Sequence, residues 1–218
     1  VTPSSTSRFW GTSGVHLDKD YLNWVVGAMF EVARGTAAIH QAGLLQLDIK
    51  PANIVVRPDA TPIIVDFGLA AGVRGEADPG NRPAFLGTPG YAPPEQVRDG
   101  PGQLSPAADV FSIGVTFYEC LTLMHPVERL QGASPEKGNT PIVPVRSRNP
   151  KISWELEAII HKCLEEQPGR RYATAGELLN DLQRYIDTKP IAAKSTWGRR
   201  LRHWATEKPF RAAFVTSP

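Results

Sequence analysis

Residues 44–56 read LLQLDIKPANIVV. Asp48 is followed two positions on by Lys50 and five positions on by Asn53, and apolar runs flank the trio. A second acid, Asp66, closes the next apolar run, IIV at 63–65. A carboxylate can orient a hydroxyl and take its proton. An ammonium can meet the charge that grows on a phosphoryl group in flight. An amide oxygen and a second carboxylate are hard donors that suit a divalent cation. Singly, each residue reads as an ordinary solvated loop residue; as a set they suit phosphoryl transfer.

The elements around them must bring the set together. IVV at 54–56 and IIV at 63–65 flank RPDATP, which predicts a small β-hairpin. Asp48, Lys50 and Asn53 precede its first strand and Asp66 follows its second. The two ends of a hairpin lie side by side, so the four should converge. Before the hairpin, Leu22, Val25, Val26, Met29, Phe30, Ala33, Ala37 and Ile39 recur at helical spacing between a capping Asp18 and a terminating Gly43. Residues 66–105 are rich in Gly and Pro and read as one long ordered loop. Ser105-Pro106 then opens PAADVFSIGVTFYECLTLM, apolar nearly all round and therefore a buried central helix. After a punctuated stretch at 125–150 come two amphipathic helices. One carries Leu156, Ile159, Ile160, Cys163 and Leu164; the other starts at Thr174 with Glu177 in a capping box and carries Leu178, Leu179, Leu182, Tyr185 and Ile186. The fold class is α+β, mainly α-helical, with one small hairpin.

The bulk numbers bound the rest. A chain of 218 residues with 41% apolar and 21% charged residues suits one globular domain plus a tail. Residues 189–218 hold seven of the 24 Lys and Arg but one of the 22 Asp and Glu, leaving 17 against 21 in a mildly acidic body. Cys120 and Cys163 sit in apolar runs and read as buried thiols of a reducing compartment rather than a disulfide. No Cys/His cluster suggests zinc, and no apolar run is long enough to span a membrane. The start, VTPSSTSRFW, has no signal pattern and no Met, so a fragment is expected.

DIKPAN, with DFG eighteen residues after its Asp, resembles the catalytic and metal-binding loops of protein kinases. GTPGYAPPEQ at 87–96 is similar to the end of the kinase activation segment, ADVFSIGVTFYECLT to the buried helix after it, and PGRRY at 168–172 to the closing arginine motif. The resemblance spans roughly 18–188, the larger C-terminal lobe, and points to bacterial serine/threonine kinases. It implies a cytoplasmic enzyme that uses ATP and Mg²⁺ on protein Ser or Thr hydroxyls. Asp48 would be the catalytic base and Lys50 the contact to the transferring phosphate. Asn53 and Asp66 would hold Mg²⁺, with Phe67 and Gly68 completing that loop; Val55 would lie under the adenine. Thr88 would bridge to Asp48 and Lys50 and shape the substrate loop. Glu95 and Arg171 would pair structurally, and Asp109 would brace the catalytic loop.

The sequence also departs from that family. No glycine-rich loop or strand lysine is found: GTSG at 11–14 is not GxGxxG, and Lys19 starts a helix. Residues 1–17 are therefore expected as a coil or hinge remnant, with the N-terminal lobe missing or supplied by another chain, and the chain by itself is expected to turn over poorly or not at all, since half of the nucleotide clamp lies in that lobe. Gln46 and Leu47 stand where the family has His-Arg, and 69–87 contains no Ser, Thr or Tyr, so control by activation-loop phosphorylation is not expected. In the tail, 189–218, Trp197, Leu201 and Trp204 interleave with Arg199, Arg200 and Arg202. That pattern reads first as a solvated tail and second as a weak membrane-surface contact; nucleic acid is not expected as a partner. The alternative to an enzyme is a non-catalytic kinase-like binding module, and the barest reading is a fragment with no function of its own.

Overall fold

Asp18 caps the first helix: its carboxylate accepts the Tyr21 N–H at 2.8 Å. Helix α1 (Lys19–Gln41) follows. It buries Leu22, Val25, Val26, Met29, Ala33 and Ala37, with Val32 and Thr36 completing the stripe. Past its end, Gly43 adopts φ +75°, the left-handed turn that stops a helix. The computed structural model describes residues 17–67, 71–72, 87–99, 104–126 and 142–193. Gly68, most of 69–86 and the aromatic-basic part of the tail lie outside these residues.

Among the described residues the order continues with β1 (Leu44–Leu45), β2 (Ile54–Val56), β3 (Pro62–Ile64), β4 (Ala71–Gly72), α2 (Pro94–Asp99), α3 (Pro106–Thr122), α4 (Val145–Arg148), α5 (Trp154–Cys163) and α6 (Ala175–Ile186). The chain is mainly helical with two small antiparallel ladders, β2–β3 and β1–β4. The hairpin pairs Ile54 with Ile64, Val55 with Ile63 and Val56 with Pro62. Its second strand thus begins one residue before the apolar run, because Thr61 closes the turn by accepting the Arg57 N–H from across it. The β1–β4 ladder and helix α2 both fall within or beside the stretch expected to be loop. Two residues of ladder and under two turns of helix carry too little periodicity to read.

Helix α3 is the centre of the core: Val110, Ile113, Phe117, Tyr118 and Leu121 are fully enclosed. α1 packs against α3 and α6, and α5 against α3. Gly114 sets the closest approach, since a Cβ there would lie 2.6 Å from Cys163 Cβ. Both thiols are free. Burial pushes the Cys120 thiol up to about 11 and the Cys163 thiol higher still, which makes both inert near neutrality.

The caps differ in detail from their expected form. Ser105 has the extended backbone of a cap but makes no side-chain capping bond. Thr174 caps Glu177 N as expected, while Glu177 Oε2 reaches back to Ala173 N rather than to the cap residue itself. Ile186, assigned to the apolar face of the last helix, is half-exposed. After α6 the chain stays on the body past residue 188, because buried Asp181 accepts N–H bonds from Ala192 and Ala193 at 2.7 and 2.8 Å and the Tyr172 hydroxyl at 2.8 Å. No helix among the described residues is long and apolar enough to cross a membrane.

Candidate active site

The loop between β1 and β2 is hung from α3. Asp109, fully buried, accepts the Leu47 N–H at 2.8 Å on one oxygen and the Gln46 N–H at 2.9 Å on the other. His40, at the end of α1, meets the second oxygen at 2.9 Å through Nε2. Its Nδ1 faces the Ala175 N–H at 3.4 Å, which assigns the proton to Nε2. Leu47 takes φ +64° and buries its side chain with Leu45 and Ala108. An apolar packing residue therefore occupies the place where the resemblance would put an arginine.

This reversal turns Asp48 toward the front of the loop. Its Oδ1 accepts the Thr88 hydroxyl at 2.6 Å, and its Oδ2 accepts Lys50 Nζ at 2.7 Å and Asn53 Nδ2 at 2.8 Å. Lys50 Nζ also donates to Thr88 Oγ1 at 2.5 Å, which closes a ring of carboxylate, ammonium and hydroxyl. Asn53 sits in a single 3-10 turn, Pro51–Asn53, and donates also to the Asp48 carbonyl at 2.9 Å. Thr88 is brought in by Gly87, whose φ of +97° and 2.8 Å clearance between a would-be Cβ and the Leu47 carbonyl exclude any side chain.

Asp66 lies at the hairpin's other end. The Val65 N–H donates to the Asn53 carbonyl at 2.9 Å, so Asn53 and Asp66 flank one edge of the ladder. Asp66 is exposed and has φ +64°. Its carbonyl accepts Gln46 Nε2 at 2.8 Å, and Gln46 Oε1 accepts the Asp48 N–H at 2.7 Å. Lys50, Asn53 and Thr88 thus all bond to Asp48, Lys50 and Thr88 also to each other, and Asp66 is joined to them through backbone and through Gln46. Val55 and Phe67 are 50% and 52% exposed on the hairpin side.

The protein kinase domain family matches residues 22–182, most of the chain. The chain belongs to the protein kinase family. Its relatives include the serine/threonine-protein kinase PknB of Mycobacterium tuberculosis, 33% identical over 169 residues, 71% of this chain and 25% of the relative. A Streptomyces coelicolor protein named as a probable serine/threonine-protein kinase is 32% identical over 172 residues, 73% of this chain and 24% of its own length. The M. tuberculosis kinase PknL is 44% identical over 98 residues, 45% of this chain. The chain spans about a quarter of the length of the curated relatives it matches.

Protein kinases use a nucleoside triphosphate and a divalent cation. The donor set in this kinase domain fits such a cation. With Asn53 Nδ2 committed to Asp48, Oδ1 is the atom that can ligate, and Asp66, at the other end of the hairpin, carries the second candidate ligand. Magnesium takes one or two protein oxygens and fills its shell with phosphate and water. Among the described residues no cluster of three or more His, Cys, Asp or Glu could hold a metal ion.

Behind the site, Arg171 grips Glu95 with two parallel bonds of 2.7 Å and donates also to the carbonyls of Glu165, Glu166 and Ala107. Its guanidinium lies 4.9 Å above the Phe111 ring. Every one of its donors is used, as a buried charge requires. Two contributors escaped the sequence reading. His40 is one; nothing in an amphipathic helix marks a single His at its end. Tyr91, whose hydroxyl donates to Glu119, is another; burial and that carboxylate raise its pKa. Gln46, which stands where the family has His, is fully buried with both ends of its amide bonded to backbone.

Proposed function

We propose that the chain is the C-terminal lobe of a serine/threonine protein kinase, residues 18–188, which transfers the γ-phosphate of ATP to Ser or Thr hydroxyls of a protein. The single observation that carries this is how Asp48 is held. A carboxylate offers about four acceptor directions. Among the described residues three are taken, two on Oδ2 by Lys50 and Asn53 and one on Oδ1 by Thr88. The remaining direction on Oδ1 suits an incoming hydroxyl, whose proton Asp48 would accept as the oxygen attacks phosphorus.

Lys50 would then shift from the Thr88 hydroxyl toward the transferring phosphoryl group and stabilise its charge. Asn53 Oδ1 and Asp66 would hold Mg²⁺, which neutralises the phosphate oxygens when bound. Val55, half-exposed, would offer an apolar floor to the adenine. Thr88, joined to both Asp48 and Lys50, would register the substrate loop on the catalytic loop. Arg171, Glu95 and Asp109 would keep these parts in place without touching substrate. Buried Leu47 supports operation without a phosphate on the activation segment.

The test is transfer of labelled phosphate from Mg²⁺·ATP to a protein acceptor by the purified chain, with Mn²⁺·ATP binding as a second readout. Both should be lost in Asp66→Asn. Incorporation that survives the substitution would mean that another kinase in the preparation did the work.

A second reading, a non-catalytic binding module, draws on the exposed apolar face of the hairpin. Val55 and its partner Ile63 are 50% and 42% exposed, beside Val56 at 44%. Absence of both nucleotide binding and incorporation would favour it.

A further inference from the structure

We propose that Gln46 is a positioning residue that locks the two acidic loops of the site to each other and so sets where Asp66 presents its carboxylate. The proposal rests on the kinase reading for its functional consequence and on geometry for its substance. Three bonds fix Gln46. Its backbone N–H donates to Asp109 Oδ2 at 2.9 Å, its Oε1 accepts the Asp48 N–H at 2.7 Å, and its Nε2 donates to the Asp66 carbonyl at 2.8 Å. The residue has no solvent exposure. A primary amide, like a neutral imidazole, can accept at one end and donate at the other. Gln46 therefore ties three carboxylate-bearing residues together: the buried brace, the base and the candidate cation ligand.

The tether matters most at Asp66. That residue is exposed and holds φ +64°, a left-handed region that residues with a Cβ seldom adopt, Asp more readily than most. The bond from Gln46 to its carbonyl helps to hold it there. It acts from the enclosed side, so an otherwise exposed residue is aimed by a buried one. The same amide fixes the Asp48 backbone, so a displacement of either loop is transmitted to the other. Side chains that aim a metal ligand without touching the metal typically change affinity 10–100-fold when removed.

The experiment has two arms, both on the full chain. In the wild type, nuclear magnetic resonance should show the Gln46 side-chain amide protected from exchange, with a scalar coupling across the hydrogen bond to the Asp66 carbonyl. In Gln46→Met, similar in length but without the amide, the Phe67 amide resonance should move. The dissociation constant for Mn²⁺·ATP should rise about 10–100-fold, while resonances of α5 and α6 stay in place. A rapidly exchanging, uncoupled Gln46 amide in the wild type overturns the proposal, and so does a Gln46→Met chain that binds Mn²⁺·ATP like the wild type. Should Gln46→Met fail to fold, the wild-type coupling decides. Should the wild type bind no Mn²⁺·ATP, the kinase reading fails, while the coupling and the Phe67 shift still decide whether the tether exists.

Discussion

Asp109 and Asp48 belong to one network and are held by different kinds of partner. Asp109 is met by two backbone N–H groups and a buried His40, none of which can leave without unfolding something. Asp48 is met by a lysine, a threonine hydroxyl and an amide, side chains that rotate. A carboxylate satisfied by backbone is a strut. One satisfied by side chains can trade a partner for a substrate, and only the second has a use in chemistry.

Substitutions can break that contrast. The largest effect is expected from Asp48→Asn, which keeps the shape and removes the base. Phosphate incorporation should fall about 10²–10⁴-fold, with the urea midpoint nearly unchanged; a collapse in stability would make Asp48 a strut too. Asp109→Ala should do the reverse. It leaves two backbone N–H groups and the His40 donor buried without an acceptor, a loss of about 3 kcal/mol or more in urea denaturation. Full stability in that variant would erase the distinction. Thr88→Val comes next. It deletes two bonds to charged groups, one to the Asp48 carboxylate and one from Lys50, together worth about 1.5 kcal/mol or more, and should slow incorporation at least about tenfold while lowering the melting temperature by only several degrees.

The smallest effect tests a carboxylate of a third kind. Glu157 is buried and accepts the Arg146 N–H at 2.9 Å, and burial raises its pKa against the pull of that bond and of the Arg146 charge. A raised carboxyl favours the folded state most below the unfolded carboxyl range and loses that contribution as pH rises through the folded value. Glu157→Gln keeps an acceptor for Arg146 and removes the charge. Its melting temperature should exceed that of the wild type at pH 8 and match it at pH 4. An equal difference at both values would mean that packing, not ionisation, is at issue.

The sequence made the long parts of this molecule readable and the short ones not. Helix α1 was legible from its cap to its stop because 23 residues repeat one pattern many times. The hairpin was legible because two β-branched runs flank a turn. Helices α2 and α4, six and four residues long, leave no such repetition. The β1–β4 ladder joins residues far apart in the chain, and local pattern says nothing of distant pairing. In the site, convergence of Asp48, Lys50 and Asn53 followed from spacing alone. The pair of hydrogen bonds at the two ends of Gln46 did not, because it depends on the left-handed backbone at Leu47 and Asp66, and Leu is a residue type that gives no sign of it. His40 was hidden for a related reason: its partners, Asp109 and the start of α6, come from two other elements.

Asp181 has a consequence for everything downstream. By fastening Ala192 and Ala193, it gives the chain beyond them a fixed point of departure on the body rather than a frayed helix end. The hold is one carboxylate wide: Asp181→Ala would release Ala192 and Ala193 from the body, and the Tyr172 hydroxyl with them, without altering any of those three residues.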